Sequence, residues 1–453
     1  MITPIFPLSV YAKRRNLITQ TFKPQSDLLL LFNPAPRIKS NDTHFKYRAD
    51  SSFAYLSGFI EAYSALAIWK DNKGKTQSTL FCQARDPIKE LWNGEIIGPA
   101  RARQNFGTEE AQPIEKLKEF CTNFFANRPS GVSPRIYTNA LQDPLLRKQL
   151  DAITETIKTD PRGLNRALHS LNNSEPLTFE ARLIKDKFEI EAMRKASKIN
   201  VAAHLELLKK IQAGLKEFQV QAIIEYEFMY RGADGPAYGS ICAAGKNATC
   251  LHYEPAKTTL KDGELILVDA GCDLNYYSSD ITRTYPVNGK YTPAQKNIMA
   301  IVAEAHKEAI NKARVGIAYS AFHEAATEAI IEGLRHLKFL KGTKKEILEK
   351  ASYKAYFPHG TGHWLGLDVH DPCPRFDDKN KSIKLKAGMI FTVEPGVYIP
   401  ANDKSVPEEY RGIGIRIEDD ILVKAGKPEI LTDGLPRYAD EIEKFMSRHK
   451  PSV

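Results

Sequence analysis

Two aspartates at the ends of strand-like runs are the first residues in this 453-residue sequence that could do chemistry. Asp269 ends an apolar run, and Asp280 follows on the next strand-like segment. If these segments form a hairpin turning at Leu274–Asn275, the two aspartates face each other with Cβ atoms about 4.5–5.5 Å apart. Ionised carboxylates so placed repel unless a proton or cation lies between them. A surface turn with both aspartates solvated is the alternative.

A glycine-rich segment carries three of the 11 histidines, His359, His363 and His370. Gly360 and Gly362 argue against a helix, so the segment does not match the H-E-x-x-H zinc arrangement. In an extended chain, His359 and His363 point to the same side. A lone histidine is more often a packed or surface residue than a ligand, but three in one such segment favour chemistry.

Two glutamates follow apolar runs further along the chain. Glu394 comes after Met389–Val393 and would be an unpaired charge at the edge of a core if it had no role. Glu418 lies in a run where alternation places Arg416, Glu418 and Asp420 on one face and isoleucines on the other. An exposed strand face would also explain the charges from Arg416 to Asp420.

Together these residues predict one oxygen-rich metal site with a single imidazole. Its candidate ligands, in chain order, are Asp269, Asp280, His363, Glu394 and Glu418. The negative charge of the carboxylates would be balanced by two divalent cations. Hard ligands favour Mn²⁺, with Co²⁺, Zn²⁺, Fe²⁺ or Mg²⁺ as alternatives. Two metals about 3.5–4 Å apart can hold a bridging water and lower its pKa.

The elements that must position these ligands recur in a regular order. Helices are predicted over 192–211, 217–231, 298–309 and from about 320, and strands over 264–270, 276–285, 389–393 and 413–423. Two helix pairs, each followed by strands, predict a duplicated α+β unit.

An earlier region of the chain has a different, mixed α/β pattern. Strands are predicted there over 26–32 and 65–69, and a helix over 109–125. A cluster of turn formers at 172–176 separates it from the rest. We therefore predict a smaller α/β N-terminal domain over 1–174 and a catalytic domain over 175–453, because the chain is too long for one ordinary core.

Composition limits the classes of partner. Hydrophobic residues make up 42% and charged residues 26%, which is typical of a soluble globular protein. No apolar run approaches the roughly 20 residues of a membrane helix, and no secretory signal is evident, so we expect a cytoplasmic protein without a membrane partner. The net charge is +9, but basic and acidic residues are interspersed, so we expect no nucleic acid partner. The six cysteines form no C-x-x-C pair and predict reduced thiols.

These segments resemble the aminopeptidase P group of the pita-bread metallopeptidases. The resemblance runs through 180–430 and is densest in LHYEPAKTTLKDGELILVDAG, SSDITRTYPVNGKYT, HGTGHWLGLDVHD, TVEPGVYIP and VPEEYRGIGIRIEDDI. It continues more thinly into the N-terminal domain at APRIKSNDTHFKYRADSSFAYLSGF and ELWNGE. It implies a C-terminal pita-bread catalytic domain.

The resemblance also implies a reaction and a division of the ligands. Asp269 would hold one metal, His363 and Glu394 the other, with Asp280 and Glu418 bridging. A hydroxide bridging the two ions would release the N-terminal residue from peptides whose second residue is proline.

Further roles are implied around the metals. His252 and His370 would contact the scissile amide and its neighbouring carbonyl, and His359 would line the proline pocket. Glu394 would also handle the proton of the attacking water.

Supporting roles are implied for four more residues. Arg416 and Tyr398 would support the metal site from behind the ligands. In the N-terminal domain, Asp42 and Trp92 would help to close the mouth of the active site, in some members across a subunit interface. A homo-oligomer, dimer or tetramer, is therefore expected.

Two other functions fit parts of the sequence. A prolidase cleaving Xaa-Pro dipeptides would use the same five ligands, although HWLGLDVHD and RGIGIRIEDDI look closer to the aminopeptidase group. A pita-bread protein that has lost catalysis and serves as a binding module is the second alternative. Such proteins typically lose ligands, and here every ligand position is filled. The metal content of the purified protein would separate these classes.

Overall fold

The computed structural model describes residues 3–126, 134–158, 168 and 170–449. The chain divides into two compact units, Met1–Ala181 and Arg182–Val453. The domain boundary expected between 174 and 175 stays a prediction. No helix among the described residues has both the length and the apolar character needed to cross a membrane.

The first unit contains a mixed sheet with helices. Its strands are β1 Asp27–Asn33, β2 Ile38–Ser40, β3 Thr43–His44, β4 Ser64–Lys70, β5 Thr76–Cys82, β6 Glu110–Pro113, β7 Arg135–Thr138 and β8 Ser170–Asn173. Its helices are α1 Leu8–Ile18, α2 Ser51–Ser57, α3 Pro87–Asn93, α4 Gly98–Phe106, α5 Leu117–Ala126, α6 Pro144–Lys158 and α7 Glu175–Arg182, which ends at the division between the units. In the main sheet the order is β6-β5-β4-β1-β7-β8, and β2 pairs with β3.

Both strands predicted in the first unit are present as β1 and β4, whereas the predicted helix is partly wrong. The buried run of β1 lies between β4, which is antiparallel to it, and β7, which is parallel. The helix predicted over 109–125 begins only at Leu117, and Glu110–Pro113 instead forms the edge strand β6, parallel to β5. Pro113 explains the error, because proline breaks a helix interior but is tolerated on an edge strand.

The second unit repeats a helix pair followed by antiparallel strands. Its first half contains α8 Lys187–Lys210, α9 Glu217–Tyr230, β9 Gly235–Pro236, β10 Ile241–Ala244, β11 Leu265–Asp269, β12 Cys272–Leu274, β13 Tyr277–Ser278 and β14 Thr282–Pro286. Its second half contains α10 Pro293–Lys312, α11 Ser320–His336, α12 Lys344–Glu349, β15 Ile390–Val393, β16 Gly396–Tyr398, β17 Gly414–Arg416, β18 Asp419–Leu422, β19 Glu429–Ile430 and α13 Ala439–His449. The sheets β10-β11-β14 and β15-β18-β19 occupy equivalent places in this order. The predicted duplicated unit is confirmed.

A local sequence motif determines where the first helix of this unit, α8, begins. Asp186 accepts hydrogen bonds from the amides of Phe188 and Glu189, and Glu189 accepts one from the Asp186 amide. Such a capping box stabilises a helix start by about 1 kcal/mol. Further along α8, Ala196 and Leu207 are fully buried in the core of the unit.

Two predicted strands are interrupted where a predicted ligand lies. The run over 276–285 divides into β13 and β14, with Asp280 between them, and the run over 413–423 divides into β17 and β18, with Glu418 between them. A strand that continued its pairing would send alternate side chains to opposite faces of the sheet. The interruptions therefore give both carboxylates freedom to turn towards the site.

Candidate metal centre

The first two predicted ligands lie on one hairpin, in a register that differs from the predicted one. Asp269 pairs with Thr282, so the expectation that it directly faces Asp280 is wrong. The turn falls at Asn275–Tyr276 instead of Leu274–Asn275. Both turn residues have positive φ, 53° and 72°, as a type I′ turn requires. The sequence pattern did not show that these two residues would adopt a left-handed backbone conformation.

The two aspartates nevertheless share one face of the hairpin as diagonal neighbours. The amide of Ala270 donates to the carbonyl of Ile281, which places Asp280 opposite Gly271. Gly271 follows Asp269 by two residues, so Asp269 and Asp280 lie diagonally across the hairpin. Gly271 is required there, because a Cβ atom would lie 1.9 Å from the carbonyl oxygen of Ser279. The close approach of the two strands thus brings both carboxylates to the same place.

Tyr238 joins the two aspartates and was missed from the sequence. Its hydroxyl lies 2.6 Å from Oδ1 of Asp269 and also contacts Oδ1 of Asp280. Burial and the two carboxylates raise its pKa well above the usual value, so the phenol keeps its proton at neutral pH. A single tyrosine between turn residues gives no pattern that would have identified it.

His363 presents one ring nitrogen to the carboxylates and is held by the other. Its Nε2 lies 3.5 Å from Oδ2 of Asp280 and 3.9 Å from Oε1 of Glu394. Its Nδ1 lies 3.0 Å from the carbonyl oxygen of Trp364. A histidine that binds metal through one nitrogen commonly donates its other N–H to a carbonyl or carboxylate in this way.

The two glutamates enter the same cluster from the second half of the unit. Glu394 follows β15, and its amide donates to the Thr361 carbonyl at 2.8 Å. Glu418 accepts a 2.6 Å hydrogen bond from the Thr282 hydroxyl. Ligand atoms of Asp280, His363 and Glu418 all lie within 4.8 Å of one another. The charges from Arg416 to Asp420 do not form an exposed strand face, since both Glu418 and Asp420 are buried.

Proton affinities in this cluster are strongly shifted. Burial, opposed in part by His363, raises the pKa of Glu394 to about 7. Burial and the neighbouring carboxylates raise the pKa of Glu418 well above its usual range. Burial disfavours the His363 imidazolium, but Asp280 and Glu394 outweigh this effect and raise its pKa to about 9. Without a cation, protons must therefore compensate the crowded negative charge.

The donor set fits divalent metal ions. Carboxylate oxygens and one imidazole converge at low exposure, a combination that suits hard or borderline cations. The Nδ1 of His363 is already engaged, which leaves Nε2 as the atom that could bind a metal ion. The raised pKa values of Glu394 and Glu418 reflect the cost of holding these negative charges buried and close to other carboxylates. A bound cation would offset that cost.

A cavity of about 570 Å³ opens onto these candidate ligands. It is also lined by the predicted substrate-contacting histidines, His252, His359 and His370, and by Arg416. The rings of His363 and His370 meet edge to face, with centroids 4.3 Å apart. Burial and His363 lower the pKa of His370. His252 lies in a turn and is exposed.

Arg416 and Tyr398 connect the ligands to His359. Arg416 donates to the Tyr398 hydroxyl at 2.8 Å and also pairs with Asp269. The same hydroxyl lies 2.9 Å from Nε2 of His359. Burial and the charge of Arg416 lower the pKa of His359 to about 4, so this imidazole is neutral at physiological pH. A third contact of Arg416, a hydrogen bond of 3.1 Å to the hydroxyl of Thr282, fixes the group that donates to Glu418.

Asp42 and Trp92 belong to the first unit. Asp42 is exposed at the turn between β2 and β3. Trp92 lies on α3 with 81% of its surface exposed. Their predicted role at the mouth of the active site stays a prediction.

We expect chelation to lower the melting temperature of the metal-loaded protein. Removing cations leaves the carboxylates of Asp269, Asp280, Glu394 and Glu418 close together, with only protons and Arg416 to offset their charge. Ligand binding to the native state alone contributes RT ln(1 + [L]/Kd), about 2.7 kcal/mol at a hundredfold excess over Kd. For a domain of this size that corresponds to several degrees. Calorimetry before chelation, after it and after return of Mn²⁺ measures the effect, and an unchanged melting temperature would contradict the metal site.

Comparisons with known proteins agree with this geometry. Residues 191–425 match metallopeptidase family M24, and residues 11–132 match the aminopeptidase P N-terminal domain. The chain is 36% identical to a Xaa-Pro aminopeptidase of Haemophilus influenzae over 97% of this chain and 98% of the relative.

Solved structures show the same fold. The aminopeptidase PepP of Pseudomonas aeruginosa superposes with a TM-score of 0.92 at 36% identity, covering 99% of each chain. Escherichia coli aminopeptidase P with the inhibitor Pro-Leu gives a TM-score of 0.92 at 32% identity, covering 98% of this chain and 99% of that one. These matches confirm the predicted α+β architecture with its pita-bread domain. The chain belongs to the aminopeptidase P group of metallopeptidase family M24.

Proposed function

We propose that this protein is a metallo-exopeptidase that releases the N-terminal residue from peptides whose second residue is proline. The observation that carries the proposal is the convergence of four carboxylates and one imidazole on a cavity lined by three further histidines. The relatives of similar length named Xaa-Pro aminopeptidase support the same activity.

The proposed cofactor is a pair of divalent ions, with Mn²⁺ as the preferred metal. Asp269 would hold one ion, His363 and Glu394 the other, and Asp280 and Glu418 would bridge. The contact of one tyrosine hydroxyl with both aspartates supports a shared site. When bound, such cations polarise a carbonyl as Lewis acids and lower the pKa of an attacking water.

Glu394 is the proposed proton acceptor for the attacking water. Its side chain lines the cavity and is 19% exposed, compared with 13% for Asp269 and 6% for Asp280, so it is the most exposed of these three carboxylates. Its carboxylate also lies 3.7 Å from Nδ1 of His359. A general base must reach the proton that it takes, and this position at the cavity wall meets that condition.

The histidines suit a substrate bond to proline. The nitrogen of that bond carries no hydrogen, so the enzyme cannot recognise the peptide by accepting an N–H hydrogen bond there. We propose that neutral His359 forms part of the wall around the ring. His252 and His370 would contact the scissile amide and its neighbouring carbonyl and stabilise the charge that develops in the transition state.

The N-terminal domain is proposed to act at the mouth of the active site and in assembly. The α3 residues Ile88, Leu91 and Trp92 are 74%, 82% and 81% exposed. Grouped exposed apolar residues of this kind are typical of contact surfaces. We propose a homo-oligomer, dimer or tetramer, in which Asp42 and Trp92 help to close the mouth, and a cytoplasmic location.

Hydrolysis of Xaa-Pro-Yaa compared with Xaa-Pro tests the proposed specificity. With added Mn²⁺, we expect kcat/KM for the tripeptide to exceed that for the dipeptide by at least about tenfold, or about 1.4 kcal/mol in transition-state stabilisation. A matched Xaa-Ala-Yaa peptide serves as the control for proline recognition. Preference for the dipeptide would instead support a prolidase.

A further inference from the structure

The loop that carries His252 connects β10 to β11 and contains no strand of its own. It includes a short 3-10 turn, Gly245–Thr249, and then continues without helix or strand to Leu265. His252 is exposed, so packing does not hold its ring. Whatever fixes this loop therefore fixes the backbone from which the imidazole reaches the cavity.

One buried carboxylate binds this loop at several points. Glu217 is the first residue of α9 and is 0% exposed. Its Oε1 accepts hydrogen bonds from the Ala244 amide and the Asn247 side chain, both at 2.8 Å. Its Oε2 accepts from the Tyr253 hydroxyl at 2.9 Å and the Ala256 amide at 3.2 Å. The donors lie on both sides of His252 in the chain.

The backbone at the start of α9 binds the same loop. The Glu217 amide donates to the Thr258 carbonyl at 3.1 Å, and the Phe218 amide donates to the Ala256 carbonyl at 3.3 Å. The first N–H groups of a helix have no partner within the helix, so the loop satisfies them. One helix turn thus holds both the beginning and the end of the segment 244–258.

The residues flanking His252 complete this attachment. Leu251 and Tyr253 pack against a small core cluster consisting of Ile241, Ala243, Ala248, Leu267 and Tyr398. The ring of Tyr253 therefore packs against the cluster, and its hydroxyl donates a hydrogen bond to Glu217. The loop is held on either side of the histidine, and His252 itself is left to line the cavity.

We propose that Glu217 is a positioning residue that holds His252 in place for the reaction. The inference rests on the proposed contact between His252 and the scissile amide. A purely structural alternative is that Glu217 only satisfies buried donors and stabilises the fold. The two roles predict different results. A loss of kcat that arises from positioning requires His252 to be present, whereas a loss that arises from lower stability does not.

A double-mutant cycle tests the proposal. Glu217→Gln keeps the shape but turns one acceptor oxygen into a donor that faces other donors. We expect kcat for Xaa-Pro-Yaa to fall about 10-fold to 100-fold with metal content unchanged, because small misplacements of a group at the reacting centre carry losses of this size. In the His252→Ala background, the same change should alter kcat less than about twofold.

Two further variants keep the test decisive. Tyr253→Phe removes one of the donors to Glu217 and should show the same dependence on His252 with a smaller loss, and it decides the question if Glu217→Gln does not fold. Glu227→Gln is the matched control. Glu227 lies on the same helix, is 5% exposed and pairs with Lys210 and Arg231. It should lower stability without changing kcat.

The outcomes separate this inference from the proposed function. Equal losses of kcat in the wild-type and His252→Ala backgrounds would overturn positioning and leave the peptidase proposal intact. Unchanged kcat in both Glu217→Gln and Tyr253→Phe would also overturn it. Full activity of His252→Ala itself would overturn the role of that histidine and, with it, the basis of the inference.

Discussion

Replacing Asp280 with asparagine is expected to remove nearly all turnover while the fold is retained. Asparagine has the same shape but lacks the charge that two cations would share. We expect kcat to fall at least about 10³-fold, or about 4 kcal/mol of transition-state stabilisation, with the loss of one metal ion per chain. Steady-state kinetics and metal analysis of the purified variant measure both effects.

The metal-free state gives an independent check on the same variant. The Asp280 charge contributes to the raised pKa values of Glu394 and Glu418. Removing it should therefore leave metal-free Asp280→Asn at least as stable as the metal-free wild type. Asp273→Asn is the matched control, because Asp273 lies on the same hairpin but accepts a hydrogen bond from the Ser278 hydroxyl. Full activity in Asp280→Asn would refute the shared metal site.

The sequence predicted the elements that carry the candidate ligands well because their patterns are local. Asp269 and Glu394 both end runs of apolar residues, and such runs formed the strands β11 and β15 as expected. The glycines around His363 correctly excluded a helix. Helical spacing likewise predicted α8 and α9. In each case the deciding information lies within a few neighbouring residues.

Features that depend on contacts distant in the sequence were not predictable in this way. Glu418 is buried and accepts a hydrogen bond from Thr282, which lies on a strand distant in the sequence. The hairpin register depends on turn residues whose backbone conformation the pattern does not reveal. Tyr238 and Glu217 act through partners brought close only by the fold, so neither forms a motif. Tertiary contacts, not local pattern, set these parts of the site.

His252→Ala is expected to separate catalysis from stability more cleanly than any other single change. The side chain is exposed in a turn, and changes at exposed positions usually shift the free energy of unfolding by no more than about 0.5 kcal/mol. Metal content and melting temperature should therefore stay near normal. Loss of one group that stabilises transition-state charge should still lower kcat by about 10²–10³.

The kinetic constants of His252→Ala identify the kind of interaction that is lost. A contact made mainly in the transition state lowers kcat and kcat/KM together and changes KM little. His336→Ala is the matched control, because His336 is an exposed histidine at the end of α11, outside the cavity that contains His252, and its loss should leave kcat unchanged. If His252→Ala instead loses metal or unfolds while its folded fraction works normally, the residue stabilises the structure and has no part in catalysis.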